Sequence, residues 1–417
     1  MKHIVFLTGS YYPNYSAVGY CAYQVQKCLI DEFAVSVVSV RDSLGQPLEE
    51  AYEGSRIQRI ETPYTKWRNI LKSGSGPFAR WGFSMLRVWG AVRRLMAPET
   101  VDRALVRAYF ERLVSMDPKP DVIVPVVFPI ETIIAALAYH KLHAEVRVFP
   151  YLFDNFVENG AIHVLNIARR LKRNRHLQLE RKMLEEADAV LSMHPLRQHY
   201  ELNFDKALLD KITFLEHPLL VPLPEMARRP KDSIARLCFT GSLVRNVAEA
   251  DYLLELLRAI RIETKVEADF YVMGNAADRV KTETIGNRIS IVNHGRVPKS
   301  QANAAVQNAD ILLNIGETQG KQVSSKIFEY MSCGKPIVHL AYVKDDVVSK
   351  ILAKYPLALC LEQDRSRFDE NQSRLGEFIE ENRFHMLSFD EVRAIYPEAM
   401  PATTAAIFSN LINTVPS

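Results

Sequence analysis

The sequence predicts an α/β protein of two doubly wound parallel-sheet domains facing each other across a cleft. Three observations predict it. The chain has 417 residues, more than one hydrophobic core ordinarily organises, so two domains of about 200 residues are expected. Short β-branched runs alternate with longer helical patterns from end to end, the sequence form of stacked βαβ units. Between two such series, residues 218–232 read PLLVPLPEMARRPKD, with four prolines and no period of either type, which marks a linker.

The first series of strands is HIVFLTG (3–9), FAVSVVSV (33–40), DVIVPVVF (121–128), EVRVFPYLF (145–153), AVLSMH (189–194) and ITFLEH (212–217). The second is ARLCFTGS (235–242), ADFYVMGN (268–275), ISIVNHG (289–295), ADILLNIG (309–316) and PIVHLAY (336–342). The tail PATTAAIFSNLINTVPS reads as one more helix after a proline break. In such sheets ligands bind where loops follow the carboxyl ends of the strands, which directs the search for chemistry to those loops.

Composition narrows the function. With 24% charged residues and 48% AVILMFWYC the chain reads as a soluble globular enzyme, and no window offers the 18 or more uncharged apolar residues of a membrane-spanning helix. MKHIVFLTG reads as a first strand and not a signal peptide, so export is not expected. Cys21, Cys28, Cys238, Cys333 and Cys360 are scattered without a CxxC pair, pointing to reduced thiols in the cytoplasm and away from zinc. A formal net charge of +3 makes nucleic acid an unexpected partner.

The most informative stretch is SSKIFEYMSCGKPIV, residues 324–338, after the loop GETQGKQVS. Ser324 or Ser325 is a candidate N-cap, and Gly334 with Pro336 supplies a stop. Ile327, Tyr330 and Met331 fall at helical spacing and would face the sheet. Lys326 sits at the positive end of the helix dipole, which costs about 0.3–1 kcal/mol unless an anion lies beside it. Glu329 stands where a carboxylate accepts hydrogen bonds from the vicinal hydroxyls of a ribose. The alternative is a solvated i,i+3 pair worth about 0.2–0.5 kcal/mol. The residues alone leave both readings open.

SSKIFEYMSCGKPIV resembles the donor-binding signature of GT-B glycosyltransferases of the family 4 type, in which P/S-S-K-x-x-E-Y-M-x-x-G-K-P holds a nucleotide sugar. Other segments fall into register with that family over most of the chain. YYPNYSAVGYCAYQV resembles its first loop, where a glycine, here Gly19, lets backbone amides approach the donor diphosphate. FTGSLVRN resembles the first strand-loop of the donor domain, with Gly241 in the turn and Arg245 facing the diphosphate. NHGRVPKSQANAAVQNADILLNIG resembles the segment that contacts the base, with Arg296 and Val297 after Gly295. SFDEVRAIYPEAMPATTAAIFSNLI resembles the C-terminal helices that cross back onto the first domain. The resemblance implies a Rossmann-like acceptor domain over 1–220, a Rossmann-like nucleotide-sugar domain over 221–395, and a returning helix over 396–417. It implies a donor-binding set of Gly19, Gly241, Arg245, Arg296, Val297, Ser325, Lys326 and Glu329. Arg245, Lys326 and Asp154 would be the catalytic residues, with Asp154 matching an acidic residue that often follows the strand at 145–153.

The chain departs from that pattern in places. Many members carry two glutamates eight residues apart, yet Lys321 stands eight before Glu329, and Glu317 lies four further upstream. A second basic residue after the arginine is replaced by Ala250, and VVFPIETI (126–133) lacks a histidine common near the sugar. The chemistry expected is retaining transfer from a UDP- or GDP-sugar to a saccharide or lipid-linked acceptor, in cell-surface polysaccharide synthesis of the bacterial type. Stabilising the departing diphosphate is the largest available effect, and Arg245 is the main candidate for it. No metal or other cofactor is expected, since no Asp-x-Asp pair or ligand spacing is present. The rival readings are a sugar-nucleotide epimerase of the same architecture and an inactive sugar-nucleotide-binding scaffold.

One bias stands apart. From Thr62 to Pro98 there is no acidic residue, while Lys66, Arg68, Lys72, Arg80, Arg87, Arg93 and Arg94 occur with all three tryptophans, Trp67, Trp81 and Trp89. Helical spacing puts Phe78, Trp81, Met85, Trp89 and Val92 on one side, the form of an interfacial helix on an anionic bilayer. A second cluster is ARRLKRNRH, 168–176. Residues 66–94 and 168–176 are thus candidate contacts with the inner face of the cell membrane. The alternative is that the aromatics pack into the first domain while the arginines are solvated.

Overall fold

The computed structural model describes residues 1–97, 99–157, 166–223, 232–320, 323 and 326–414, with the main chain alone at 166–169. Most of the linker at 218–232, with Lys321, Ser324 and Ser325, lies outside the described residues. Two compact units are present, Met1–Pro218 with Pro401–Ser417, and Leu219–Met400.

The first unit holds β1 (His3–Leu7), β2 (Ala34–Val40), β3 (Glu49–Tyr52), β4 (Ser55–Ile60), β5 (Val122–Val127), β6 (Arg147–Val148), β7 (Tyr151–Leu152), β8 (Val190–Met193) and β9 (Ile212–Leu215). Their order is β3-β4-β2-β1-β5-β7-β8-β9, with β6 beside β5. All pairings are parallel except β3 with β4. Every residue of β1 and β5 is buried, which is why both read as continuous apolar runs without alternation. The closing helix Pro401–Asn413 is part of this unit. Its Phe408 packs against Phe6 and Tyr151, at ring-centroid distances of 6.1 and 5.4 Å.

Two features here differ from the sequence reading. EVRVFPYLF, expected as one strand, is the two short strands β6 and β7 separated by Phe149–Pro150. Pro150 has no N–H to give a ladder, so β5 changes partner at that point. The hairpin of β3 and β4 was not expected at all. Its two turn residues, Glu53 and Gly54, have φ of 42° and 78°, the left-handed pair that a tight type I′ hairpin needs.

β4 also carries a buried cation. Arg59, 1% exposed, donates to the carbonyl oxygens of Pro47 and Tyr12 at 2.8 Å each and pairs with Glu50. It thereby fixes the loop after β1.

The second unit holds β10 (Ile234–Ser242), β11 (Lys265–Met273), β12 (Glu283–Ile285), β13 (Ile289–Asn293), β14 (Ile311–Ile315), β15 (Ile337–Ala341) and β16 (Ala358–Glu362), in the order β12-β13-β11-β10-β14-β15-β16. Only β12 runs antiparallel to its neighbour. The two edge strands, β12 and β16, were the ones the sequence reading missed.

The basic segments divide. Trp67, Trp81 and Trp89 are 58%, 67% and 52% exposed, although Trp89 stacks on Tyr64 at a ring-centroid distance of 6.1 Å. In the second cluster Lys172 and His176 are buried. Among the described residues no helix is long and apolar enough to cross a membrane.

Replacing Arg59 with alanine orphans two carbonyl oxygens and leaves Glu50 without its partner. It should lower stability by about 2–4 kcal/mol, read as a drop in the urea midpoint of the far-UV transition. An unchanged midpoint would mean that this buried charge holds nothing in place.

Candidate functional site

Because β10, β11, β13, β14 and β15 are parallel, their carboxyl ends share one edge of the second sheet. The loops that follow them carry most of the candidate residues. Gly241 lies within β10, and Arg245 follows in the next turn. Leu243 N–H donates to the Met273 carbonyl at 2.8 Å, and Ala276 N–H donates back to the Leu243 carbonyl at 3.1 Å. At Gly274 a Cβ would lie 2.1 Å from the Leu243 oxygen, and φ is +105°. Only glycine lets the two loops cross so closely.

Arg245 is pinned through its main chain, whose N–H donates to Asn275 Oδ1 at 2.9 Å. Its guanidinium, half exposed, meets Asp278 at 3.3 Å. A solvated pair of this kind is worth about 0–1 kcal/mol, so a diphosphate would displace Asp278 at little cost. Arg296 is exposed and Val297 half-buried, beside Gly295 at φ +63°. Ala250 is buried, so no second cation stands where the family pattern has one.

The helix Lys326–Ser332 starts on the same edge. Ile327, Tyr330 and Met331 are all buried, as their spacing predicts. Lys326 Nζ donates to Glu329 Oε2 at 3.2 Å, with both side chains partly exposed. This is the i,i+3 pair that the sequence left as an alternative. Tyr330 ties this helix to β10. Thr240 N–H donates to the phenol oxygen at 3.0 Å, and the two hydroxyls are also 3.0 Å apart. Burial pushes the Tyr330 phenol well above its ordinary pKa. Gly334 ends the helix at φ +68°, where a Cβ would lie 2.0 Å from the Leu387 oxygen.

The loop after β14 docks on the Arg245 loop. Thr318 donates its N–H to the Val247 carbonyl at 2.8 Å and its hydroxyl to the Asn246 carbonyl at 3.2 Å. Glu317 accepts from the N–H of Gln319, two residues on, at 2.9 Å. That bond folds it over its own loop.

Beneath this loop lies a buried polar network that sequence reasoning missed. Asn314 Nδ2 donates to His339 Nδ1 at 2.8 Å, so Nε2 carries the proton and donates to Asp346 Oδ2, also at 2.8 Å. Asp346 accepts in addition from Ser349 N–H at 2.7 Å. Val347 N–H then holds the Gly320 carbonyl at 2.9 Å. Hydrogen bonds from His339 and Ser349 outweigh burial and keep the Asp346 carboxyl below the usual aspartate range. The one available signal was a histidine inside the apolar run PIVHLAY.

Gly19 and Asp154 belong to the first unit. Gly19 is buried in helix Ala17–Lys27, and a Cβ there would lie 2.3 Å from the Ser10 carbonyl oxygen. The need for glycine is therefore met by packing inside the unit. Asp154, half-buried, follows β7 at the carboxyl edge of the first sheet. Burial pushes its carboxyl up, and nearby His217 pulls it back. His217 packs 6.0 Å from the ring of Phe153. It is a residue the sequence reading did not single out.

Residues 235–355, within the second unit, match the family described as Glycosyl transferases group 1. No curated protein matches the chain in sequence. The fold is similar to that of sucrose-phosphate synthase from Thermosynechococcus elongatus, with a TM-score of 0.61, 11% identity and 99% of each chain covered. It is similar to the catalytic domain of starch synthase IV from Arabidopsis thaliana, solved with ADP and acarbose, with a TM-score of 0.60, 10% identity, and 99% and 98% covered. It is also similar to HepE from Anabaena, solved with UDP and glucose, with a TM-score of 0.57, 11% identity and 100% of each chain covered. At such identities the likeness is one of fold, the GT-B pair of Rossmann-like domains. Together with the matched domain it defines the class, a glycosyltransferase.

Asp346 should be tested by Asp346→Asn. Its pKa is lower in the folded protein than the ordinary 3.8, so the stability it adds is complete above that value and is lost as pH falls through the folded pKa. Urea titrations should show the variant weaker by about 1–3 kcal/mol at pH 7, with the gap narrowing below pH 4 or so. A gap independent of pH would contradict the network.

Proposed function

We propose that the chain is a retaining, metal-independent glycosyltransferase of the family 4 type. It moves a sugar from a UDP- or GDP-sugar to a saccharide or lipid-linked acceptor in bacterial cell-surface polysaccharide synthesis. The observation that carries the reading is that Arg245, Lys326 and Glu329 share one edge of the second sheet. The Tyr330–Thr240 and Thr318–Asn246 bonds tie their elements together.

On donor binding, Lys326 and Arg245 exchange Glu329 and Asp278 for the diphosphate. The released Glu329 takes the ribose hydroxyls, while Arg296 and Val297 flank the base. As the sugar leaves, negative charge grows on the diphosphate, and each charge-assisted hydrogen bond to it contributes about 1.5–3 kcal/mol. These cations do the work that a divalent ion does elsewhere, which is why no cofactor is assigned. Gly19, Gly241 and Ser325 are placed on the donor side by resemblance alone. Asp154, with its raised pKa, is the candidate on the first unit for the sugar or acceptor hydroxyls, and that unit is assigned the acceptor. The protein works in the cytoplasm, against the inner face of the membrane.

Calorimetry with a panel of UDP- and GDP-sugars should find one donor. Glu329→Ala should then weaken its binding by about tenfold or more, and Arg245→Ala should reduce kcat by about 100-fold, near 3 kcal/mol. Failure of every nucleotide to bind would sink the proposal. Binding without transfer to any acceptor would favour the scaffold, which the lysine at 321 in place of a glutamate permits. Return of the donor as its epimer would favour the epimerase.

A further inference from the structure

The helix Asn166–Glu186 buries polar side chains where a helix ordinarily turns apolar ones inward. Lys172, His176 and Glu180 recur at intervals of four, so they share one face, and all three are buried. Each holds main chain. Lys172 donates to the carbonyl oxygens of Arg94, Leu95 and Ala97 at 2.9, 2.8 and 2.7 Å, at the end of the helix Pro77–Met96 that carries the apolar stripe. His176 Nδ1 donates to the Phe156 carbonyl oxygen at 2.9 Å, while its Nε2 lies 2.9 Å from the Glu99 carbonyl oxygen and 3.3 Å from the Thr100 hydroxyl. Glu180 takes the other side of Phe156, its Oε1 accepting from the Phe156 N–H at 2.7 Å. Its Oε2 accepts from Nε2 of His199, on the helix Arg197–Asn203, also at 2.7 Å.

The sheet explains why side chains serve here. β7 is two residues long, and its pairing with β5 and β8 stops at Leu152. Past that point the ladder no longer holds the chain, yet Phe156 is 1% exposed, and its N–H and carbonyl need partners away from water. Glu180 and His176 are those partners. Asp154 lies midway between the last ladder residue, Leu152, and the clamped residue, Phe156. Its place at the carboxyl edge of the first sheet is thus fixed from both ends. The Phe156 ring adds packing against Phe128, in the loop after β5, at a centroid distance of 6.4 Å.

A carboxylate is a costly way to fill a core position. Apolar side chains of similar volume often stabilise a buried site as well or better, so what Glu180 adds is a fixed acceptor and not packing. Resting on the reading of Asp154 as a site residue, we infer that Glu180 is a positioning residue for sugar transfer. At 0% exposure it touches no substrate. It acts through the Phe156 N–H, and so holds Asp154 in place.

The full-length protein is assayed with a panel of UDP- and GDP-sugars and octyl hexosides as acceptors, by release of the nucleoside diphosphate. Glu180→Leu should lower kcat by about tenfold or more through misplacement of Asp154. Donor affinity by calorimetry should stay unchanged, since Arg245, Lys326 and Glu329 belong to the second unit. Glu180→Gln keeps an oxygen acceptor for the Phe156 N–H and should retain most of the rate. Added to Asp154→Asn, Glu180→Leu should take nothing further, because both act through one group. Hydrogen exchange read by mass spectrometry needs no activity. The amides of residues 153–157 should be protected in the wild type and exchange about tenfold faster or more in Glu180→Leu, with those of 326–332 unchanged. Unprotected amides in the wild type, an unchanged kcat in a variant that exchanges faster, or additive losses in the double variant would each overturn the inference. A loss of rate in Asp154→Asn without one in Glu180→Leu refutes the positioning alone. Full rate in Asp154→Asn refutes the reading of Asp154, and the positioning falls with it. A wild type that binds no nucleotide refutes the glycosyltransferase reading, and both fall.

Discussion

The phenol of Tyr330 lies buried with its oxygen held by both the N–H and the hydroxyl of Thr240. Leaving such a group unpaired away from water costs about 1–3 kcal/mol, so the helix Lys326–Ser332 has one favourable seat against β10. That seat sets where Lys326 and Glu329 emerge. It also sets them in register with Arg245, five residues beyond Thr240 on the chain that leaves the same strand. The loop after β14 closes the arrangement by bonding to Asn246 and Val247. Everything exposed on that edge is thus referred to a buried hydroxyl.

The exposed charges are compensated one by one, Arg245 by Asp278 and Lys326 by Glu329. Compensation of this kind keeps cations soluble and oriented without committing them, because solvent screening leaves each pair weak. The buried charges behave differently. The Asp346 carboxylate, held by neutral His339 and Ser349, and Arg59 with Glu50 are multiply bonded, and each sets the shape of a loop in its own unit. Strong pairs below and weak pairs above are what a site needs if it is to hold its form while exchanging partners.

Much of this was legible in the chain. The alternating runs located every central strand, since a parallel strand covered on both faces must be apolar throughout. SSKIFEYMSCGKPIV disclosed both its helix and the residues that helix presents. What escaped was of two kinds. The strands β3, β4, β12 and β16, at or next to the sheet edges, are short or mixed in polarity (EEAY, SRIQRI, ETI and ALCLE), so no long apolar run marks them. The Asn314–His339–Asp346 network joins residues that nothing local relates. The hairpin at Glu53–Gly54 could have been read from its turn chemistry, whereas the split of EVRVFPYLF followed from a proline in plain view. Exposure was the least legible property of all, because the stripe on Pro77–Met96 has the same spacing whether it faces a core or water.

The path of the chain has a further consequence. The first unit contains residues from both sides of Leu219–Met400, and the aromatic contact of Phe6 and Tyr151 with Phe408 joins them. During synthesis the amino-terminal sheet therefore emerges from the ribosome long before the helix that covers it. The intervening segment, contiguous in sequence, can complete its own core first. The earlier-made part must wait for residues made after that segment, with Phe6 and Tyr151 lacking their cover in the meantime. That interval is when a nascent chain most needs a chaperone.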